Sequence, residues 1–253
     1  MFSVENLKAE LSTEFLGINV IYLPATGSTN SDAWEHLDKD SQEGTLFVTD
    51  HQQDGRGRRQ NKWASTPGKS LTFSFILYPQ SPLDQFGLFP LLTGVSIIKG
   101  IESAVYIKPG LKWPNDIMLS RKKMGGILIE SKSTSDGLAV VVGVGLNINE
   151  TDQDFPEPIK NHATSLKIYL GEDYSREHIL AEILNEFEQL YTNQWGSIIS
   201  NWYKYCIHED SAVSFHTEEG KYEGVFQGIA ANGHAEIMIN GEIKRFPSGM
   251  ITL

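Results

Sequence analysis

One cysteine, Cys206, stands in a chain of 253 residues. That count excludes an intrachain disulfide and any multi-cysteine metal site. Cys206 ends the aromatic stretch that starts at Trp202, so buried filler is the expectation rather than a nucleophile. Basic residues are also scarce: 21 Lys and Arg against 32 Asp and Glu leave a net charge of −11. Such a balance argues against a general nucleic-acid binder, whose affinity rests on phosphate neutralisation. The first ten residues carry Glu5, Lys8 and Glu10 and hold no secretory signal. No stretch reads as the ~20 apolar residues of a membrane span, which leaves a reducing cytoplasm as the default compartment. Missing too are a phosphate loop ending in Gly-Lys-Ser/Thr, a Gly-x-Ser-x-Gly elbow, and His/Asp/Glu clusters at metal spacing. Repeats and low-complexity tracts are absent. Any chemistry must therefore rest on positive charge and positioning, without a general base or nucleophile of a known pattern.

Against this acidic background one stretch stands out. Residues Asp54 to Trp63 place three arginines, two glycines, a lysine and a tryptophan in ten positions. Glycine tolerates positive φ and close approach, successive N–H groups can form an anion-binding nest, and arginine matches phosphate or carboxylate. The stretch reads either as a loop for an oxyanion-rich ligand or as a solvated basic turn. It connects two predicted strands, Thr45–Thr49 and Ser70–Tyr78. An earlier strand, Asn19–Leu23, leads into Gly27-Ser28-Thr29-Asn30, a polar helix start that can cap a helix and hold polar groups. Gln52 offers both donor and acceptor to an amide or urea.

Farther on, a helix is expected over Phe86–Tyr106, then Lys112 just ahead of Trp113-Pro114, where the extended segment must break. Lys112 is either a charge pinned beside bulky walls or a snorkelling surface lysine. Arg121 to Lys123 reads as a solvated turn inside a hairpin from Ile117 to Glu130. Leu138–Asn149 is almost wholly apolar and reads as a central strand. Its Gly143 and Gly145 bare one face, either for something flat or for tight helix packing. Ser175 caps a clear helix to Trp195, and Ile198–Cys206 adds a short one. After about His208 short strands with Asn232-Gly233 and Asn240-Gly241 turns predict a small β-barrel of about 45 residues. The fold class is thus α+β, a mixed and mainly antiparallel sheet packed with helices, divided into 1–207 and 208–253.

Five motifs occur in order: Gly-Ser-Thr-Asn at 27–30, Gln-Gln-x-Gly-Arg-Gly-Arg-Arg at 52–59, Lys-Trp-Pro-Asn-Asp at 112–116, Gly-Gly-Ile-Leu-Ile-Glu at 125–130, and Gly-Val-Gly-Leu-Asn-Ile-Asn at 143–149. The set closely resembles the biotin protein ligase family over roughly residues 20–253. The resemblance implies a catalytic domain like that of class II aminoacyl-tRNA synthetases and biotin ligases, followed by an SH3-like β-barrel. It implies ATP and biotin as substrates, Mg²⁺ with the triphosphate, and a two-step reaction. Biotinyl-5′-AMP and pyrophosphate form first. The biotinyl group then passes to a lysine of a biotin carboxyl carrier protein domain. By the same resemblance Ser28, Thr29, Asn30 and Gln52 line the biotin pocket, with Gly126 and Gly145 facing the ureido ring. Arg56, Gly57 and Arg58 lie in a loop closing over carboxylate and phosphates. Lys112 is the main catalytic cation, and Asn147 lies on the nucleotide side. The family loop commonly continues with Gly-Arg where this chain has Gln60 and Asn61. With about 18 residues before the first strand, the chain resembles the ligase-only type, with no DNA or membrane partner and a monomeric or weakly dimeric state. The alternatives are a lipoate or octanoate ligase, whose arginine pair before Ser-Gly-Gly-Gly is absent, a non-catalytic carrier-binding module, and an RNA-binding module.

Overall fold

The structure, a computed structural model, describes residues 1–37, 41–79, 83–135, 137–216 and 220–252. Helix α1 (Val4–Glu10) starts the chain, with the Ser3 hydroxyl accepting from the Asn6 N–H as its cap. Strand β1 (Val20–Leu23), helix α2 (Thr29–Leu37) and strand β2 (Leu46–Thr49) follow. The arginine-rich stretch folds as a narrow antiparallel pair, β3 (Gly55–Arg56) and β4 (Lys62–Trp63). Next come β5 (Ser70–Leu77), α3 (Phe89–Ala104), β6 (Gly110–Lys112), β7 (Asp116–Leu119), β8 (Lys122–Thr134) and β9 (Gly137–Asn147). Two short helices, α4 (Glu157–Lys160) and α5 (Leu166–Leu170), precede the long α6 (Arg176–Asn193) and then α7 (Ile198–Tyr203). Five strands complete the chain: β10 (Ala212–His216), β11 (Lys221–Ile229), β12 (Ala235–Ile239), β13 (Glu242–Phe246) and β14 (Met250–Thr252).

A seven-stranded sheet in the order β1-β2-β5-β9-β8-β7-β6 forms the body. Only β1 and β2 run parallel; the other pairs are antiparallel, so the sheet is mixed and mainly antiparallel, as expected. The apolar run at 138–149 does become the central strand, paired on both sides.

Alternation then decides what each face does. On one face Phe73, Phe75, Val142, Val144 and Leu146 enter the main core beneath α3 and α6. The Phe75 and Phe187 rings meet edge to face at 4.8 Å. The helices come together at Gly100, where a Cβ would lie 2.6 Å from the Ile183 backbone nitrogen. On the opposite face Phe47, Ile76 and Val141 pack beneath Ala33 of α2 at one end. Toward the other end that face carries Thr72 and Ser74 against Gly145 and Gly143.

The expected helix from Phe86 is shorter than predicted. A 3₁₀ segment, Leu83–Leu88, leads into it, because Gly87 must let the Asn232–Gly233 turn approach: a Cβ there would sit 2.4 Å from the Asn232 carbonyl oxygen. The stretch Gln85–Ala104 is long and apolar enough for a span by length and composition alone, but 67% of its most apolar 18-residue window is buried inside the protein, as in a core helix.

The last five strands form a separate antiparallel sheet, β13-β12-β11-β10-β14. Asn240 and Gly241 both take positive φ (52° and 85°) at the β12–β13 turn, the conformation that favours Asn-Gly in hairpins. This sheet docks on the body through Trp113, whose indole N–H donates to the Gly233 carbonyl at 3.2 Å, and through Tyr203, whose hydroxyl accepts from the Ile229 N–H at 2.7 Å. His208 is buried between the rings of Trp202 and Phe226.

Gly100→Ala tests the helix contact. Helix propensity alone favours the alanine by about 1 kcal/mol. The clash with Ile183 reverses the sign, and a net loss of about 1–3 kcal/mol is expected in urea unfolding. A stabilised variant would contradict the packing described.

Candidate active site

A cleft opens on the polar half of the sheet's α2 face. Its floor is made of Gly126, Leu128, Gly143, Gly145 and Thr72. Its wall is the start of α2, with Ser28, Thr29 and Asn30 only 6%, 2% and 3% exposed. Its roof is the β3–β4 segment. Gln52 joins wall to roof: its Oε1 accepts from the Thr29 N–H at 2.9 Å and so serves one of the orphan donors of the helix start. Ser28, Thr29, Asn30, Gln52, Arg56, Gly57, Arg58, Gly126 and Gly145 all border this cleft.

The glycines of the floor do not stand empty. A Cβ at Gly143 would fall 2.0 Å from Asn30 Oδ1, and one at Gly145 would fall 2.3 Å from Trp63 Cε2. The flat group expected over Gly145 is thus an indole of the chain itself. Trp63 Nε1 and Thr72 Oγ1 are buried there without a hydrogen-bond partner, polar atoms that a ligand could satisfy.

The arginine loop departs from the sequence expectation. Neither Gly55 nor Gly57 takes positive φ; Arg59 does, at 53°. Gly55 is needed for close approach, because a Cβ there would meet the Trp63 carbonyl oxygen at 2.5 Å. The turn closes through Gly57 N–H to Asn61 O at 2.7 Å, so Asn61 has a backbone role in it. The Gln60 side chain lies outside the described part of the structure. Each arginine has a protein partner. Arg56 pairs with Glu130 at 3.1 Å, Arg58 donates to Asn115 Oδ1 and the Gly249 carbonyl, and Arg59 donates to the His216 carbonyl. Burial and then the neighbouring Arg59 charge lower the Arg58 pKa.

Two predicted residues do not border the cleft. Lys112 lies in an adjoining recess with Arg58, Arg59, Asn115 and Gly249, its ammonium 3.0 Å from Asp116. Asn147 is buried at the end of β9, where its amide donates to the Thr164 carbonyl at 2.9 Å. Lys123, which was not among the predicted site residues, borders the cleft. Sequence reading assigned Lys123 to a solvated turn. The turn is in fact the pair Ser120–Arg121, both at positive φ, and Lys123 already belongs to β8. A bulge explains the miss: Met118 faces Lys123 while Ile117 faces Gly125, so one extra residue shifts the alternation. Lys123 and Gly126 then share a face, and a Cβ at Gly126 would be 3.3 Å from Lys123 Nζ.

Asp116 stands between both lysines, 2.5 Å from Lys123 Nζ. Burial pushes its carboxyl up, but Lys123 and Lys112 outweigh this and hold its pKa below the usual carboxylate range. Cys206 behaves as filler, its thiol pushed up to about 11 by burial. No group of three or more His, Cys, Asp or Glu side chains converges as a metal site among the described residues. Asp116, the carboxylate nearest the cationic recess, already has both oxygens engaged by lysines. The described residues offer no cage of their own for Mg²⁺.

The Biotin/lipoate A/B protein ligase family matches residues 22–147. The bifunctional ligase/repressor BirA of Bacillus subtilis is 35% identical over 256 residues, spanning 99% of this chain and 79% of that protein. Biotin--protein ligase 2 of Arabidopsis thaliana is 30% identical, spanning 90% and 70%. The chain belongs to the biotin protein ligase family. Its fold agrees: the biotin protein ligase of Aquifex aeolicus, solved with biotin and ATP, superposes with a TM-score of 0.78 at 30% identity, over 93% of this chain and 98% of that one. The five ordered motifs were sufficient to find the family; the bulge-displaced Lys123 was not visible in them.

Beyond the floor, the Glu150 carboxyl is pushed up to about 6 by burial, which outweighs its bonds to the Ser70 hydroxyl and nearby backbone. The folded state thus binds this proton more tightly than the unfolded chain, whose ordinary value is 4.5. Its contribution to stability is full below that value and is lost as pH rises through 6, by about 2 kcal/mol in total. Glu150→Gln is expected to remove this decline in urea midpoints taken from pH 4 to 7.5. An unchanged decline would assign it to other groups.

Proposed function

We propose that the chain is an ATP-dependent biotin protein ligase acting on a biotin carboxyl carrier domain. The biotin carboxylate oxygen attacks the α-phosphate of ATP. The bond to the β-phosphate oxygen breaks, and biotinyl-5′-AMP and pyrophosphate result. The ε-amine of a carrier lysine, as free base, then attacks the acyl carbon; AMP leaves and the amine gives up a proton. The observation that carries this reading is one cleft that combines neutral polar groups, Ser28, Thr29, Asn30 and Gln52, with cations, Arg56, Arg58, Lys62 and Lys123. An amide-like head and an anionic tail find partners of both kinds there. Relatives named for biotin, and a neighbour solved with biotin and ATP, support the same substrates.

In this reading the backbone at Gly126 and at Gly145, the latter beneath the Trp63 indole, walls the ureido ring, Gly57 keeps the loop close, and Arg56 and Arg58 exchange their protein partners for carboxylate and phosphate. Lys123, over Gly126, adds a cation for the carboxylate. Lys112, on the far side of Asp116, stands toward the phosphates and keeps a catalytic role through charge. Asn147, one step past Gly145 on the same sheet face, supports the nucleotide side. Cations fixed in a site with little water stabilise charge that grows on the α-phosphate far better than they would in water. Mg²⁺ would come with the triphosphate, held by phosphate oxygens and water, and would offset its charge. The C-terminal sheet, 208–253, is read as the SH3-like unit that closes the recess beside Arg58; the catalytic unit is 1–207. A monomer or weak dimer without DNA or membrane partners completes the proposal.

Biotin-dependent exchange of pyrophosphate into ATP is the test. Exchange with biotin is expected; exchange with lipoate alone would move the assignment to the lipoate branch, and exchange with neither would end it. Lys123→Ala and Lys112→Ala should each raise the adenylation barrier, Lys123 by about 2–4 kcal/mol and Lys112 by less. Near-normal exchange by Lys123→Ala would remove its role.

A further inference from the structure

Alternation along β8 brings Gly126, Leu128 and Glu130 to one face, since they pair with Gly145, Gly143 and Val141 in turn. Gly126 and Leu128 form cleft floor. Glu130 stands one step beyond, and a single oxygen of its carboxylate gathers three donors. Asn30 Nδ2 reaches Oε2 at 2.9 Å, Trp34 Nε1 at 3.2 Å and Arg56 Nη2 at 3.1 Å.

A carboxylate accepts and does not donate, so the amide that faces it must present its NH₂. Asn30 therefore has one orientation available. Its Oδ1 turns away from Glu130, over Gly143, and accepts from Ser74 Oγ at 2.6 Å. Ser74 has one hydroxyl hydrogen and has spent it on Asn30, so at 2.7 Å it accepts from Thr29 Oγ1. Thr29 is in turn tied through its backbone N–H to Gln52. The direction of these hydrogen bonds thus follows from the acceptor oxygen at Glu130, seconded by the Leu128 carbonyl 3.4 Å from the same Asn30 nitrogen; the Thr29 hydroxyl also lies 3.3 Å from Gln52 Oε1. The same oxygen holds Arg56, which belongs to the roof.

We propose that Glu130 is a positioning residue: it fixes the Asn30 amide with Oδ1 toward the cleft, and through Arg56 it ties the arginine loop to that polar wall. This rests on the biotin-ligase reading above.

The experiment is calorimetric titration of biotin, without ATP, into the full chain and three variants, with thermal unfolding of each as a fold control. Asn30→Asp sets two carboxylates against each other and is expected to weaken biotin binding by about tenfold or more. Glu130→Gln keeps an acceptor oxygen for Asn30 and is expected to stay within about threefold of the wild type. The double variant, Asn30→Asp with Glu130→Gln, reverses the pair: the amide introduced on β8 now donates to the carboxylate introduced on α2, and most of the loss should be recovered. A double variant no better than Asn30→Asp would overturn the proposal, as would Glu130→Gln binding as poorly as Asn30→Asp. A wild-type chain that binds no biotin would instead sink the ligase reading itself, which keeps the two failures distinct. A folding defect from the paired carboxylates would also recover in the double variant, so binding is compared only at a temperature where thermal unfolding shows every variant folded.

Discussion

Three glycines on one sheet face set the constraint on which the site depends. Gly143, Gly145 and Gly126 each leave room for a side chain from a different part of the chain: Asn30 from α2, Trp63 from the arginine loop, Lys123 from the bulged start of β8. At the first two positions a methyl group would overlap its neighbour, by distances that real Cβ atoms do not show. A polar acceptor, an aromatic plate and a cation are thereby laid side by side on a rigid central sheet. The opposite face of the same strands is filled with Phe73, Phe75, Val142 and Val144 and holds the sheet in place. The apolar core on one side and the stripped surface on the other are consequences of one alternation.

The charges above that surface are held loosely. Arg56 and Glu130 have side chains 43% and 29% exposed, and an exposed pair of that kind contributes little net stability, about 0–1 kcal/mol. Arg58 and Arg59 donate to carbonyl and amide oxygens, which a phosphate oxygen outcompetes as an acceptor. A loop with such partners can be ordered without ligand and still change partners for an anionic one. Asp116 works in the opposite sense. It is half-buried, sits between Lys112 and Lys123, and its pKa is held down by them, so one shared carboxylate lets a cation at the cleft and a cation in the adjoining recess stand close together.

Much of the fold was legible in the sequence because its signals are local. The apolar run at 138–149, the stripe of the long helix after Ser175, the break at Pro114 and the Asn-Gly turns each answer to the nearest few residues. The wall residues Ser28, Thr29, Asn30 and Gln52 and the floor residues Gly126 and Gly145 were legible as members of ordered motifs. Lys123 was not, because a single extra residue near Met124 reverses the parity that strand reading assumes. The late start of the helix expected from Phe86 was not legible either, since the Asn232–Gly233 turn that limits it comes from far downstream in the chain.

The sequence by itself determined the family, the mixed sheet with its central strand, and the chemical types gathered for the site, because motif spacing and side-chain periodicity carry that information along the chain. Only the tertiary structure decided that Lys123 borders the cleft, that Trp63 covers Gly145, and that Asn30, Trp34 and Arg56 meet on one oxygen of Glu130. Those outcomes depend on register, on a bulge and on hydrogen bonds between residues 74 to 100 positions apart, and contacts of that kind exist only once the sheet has formed.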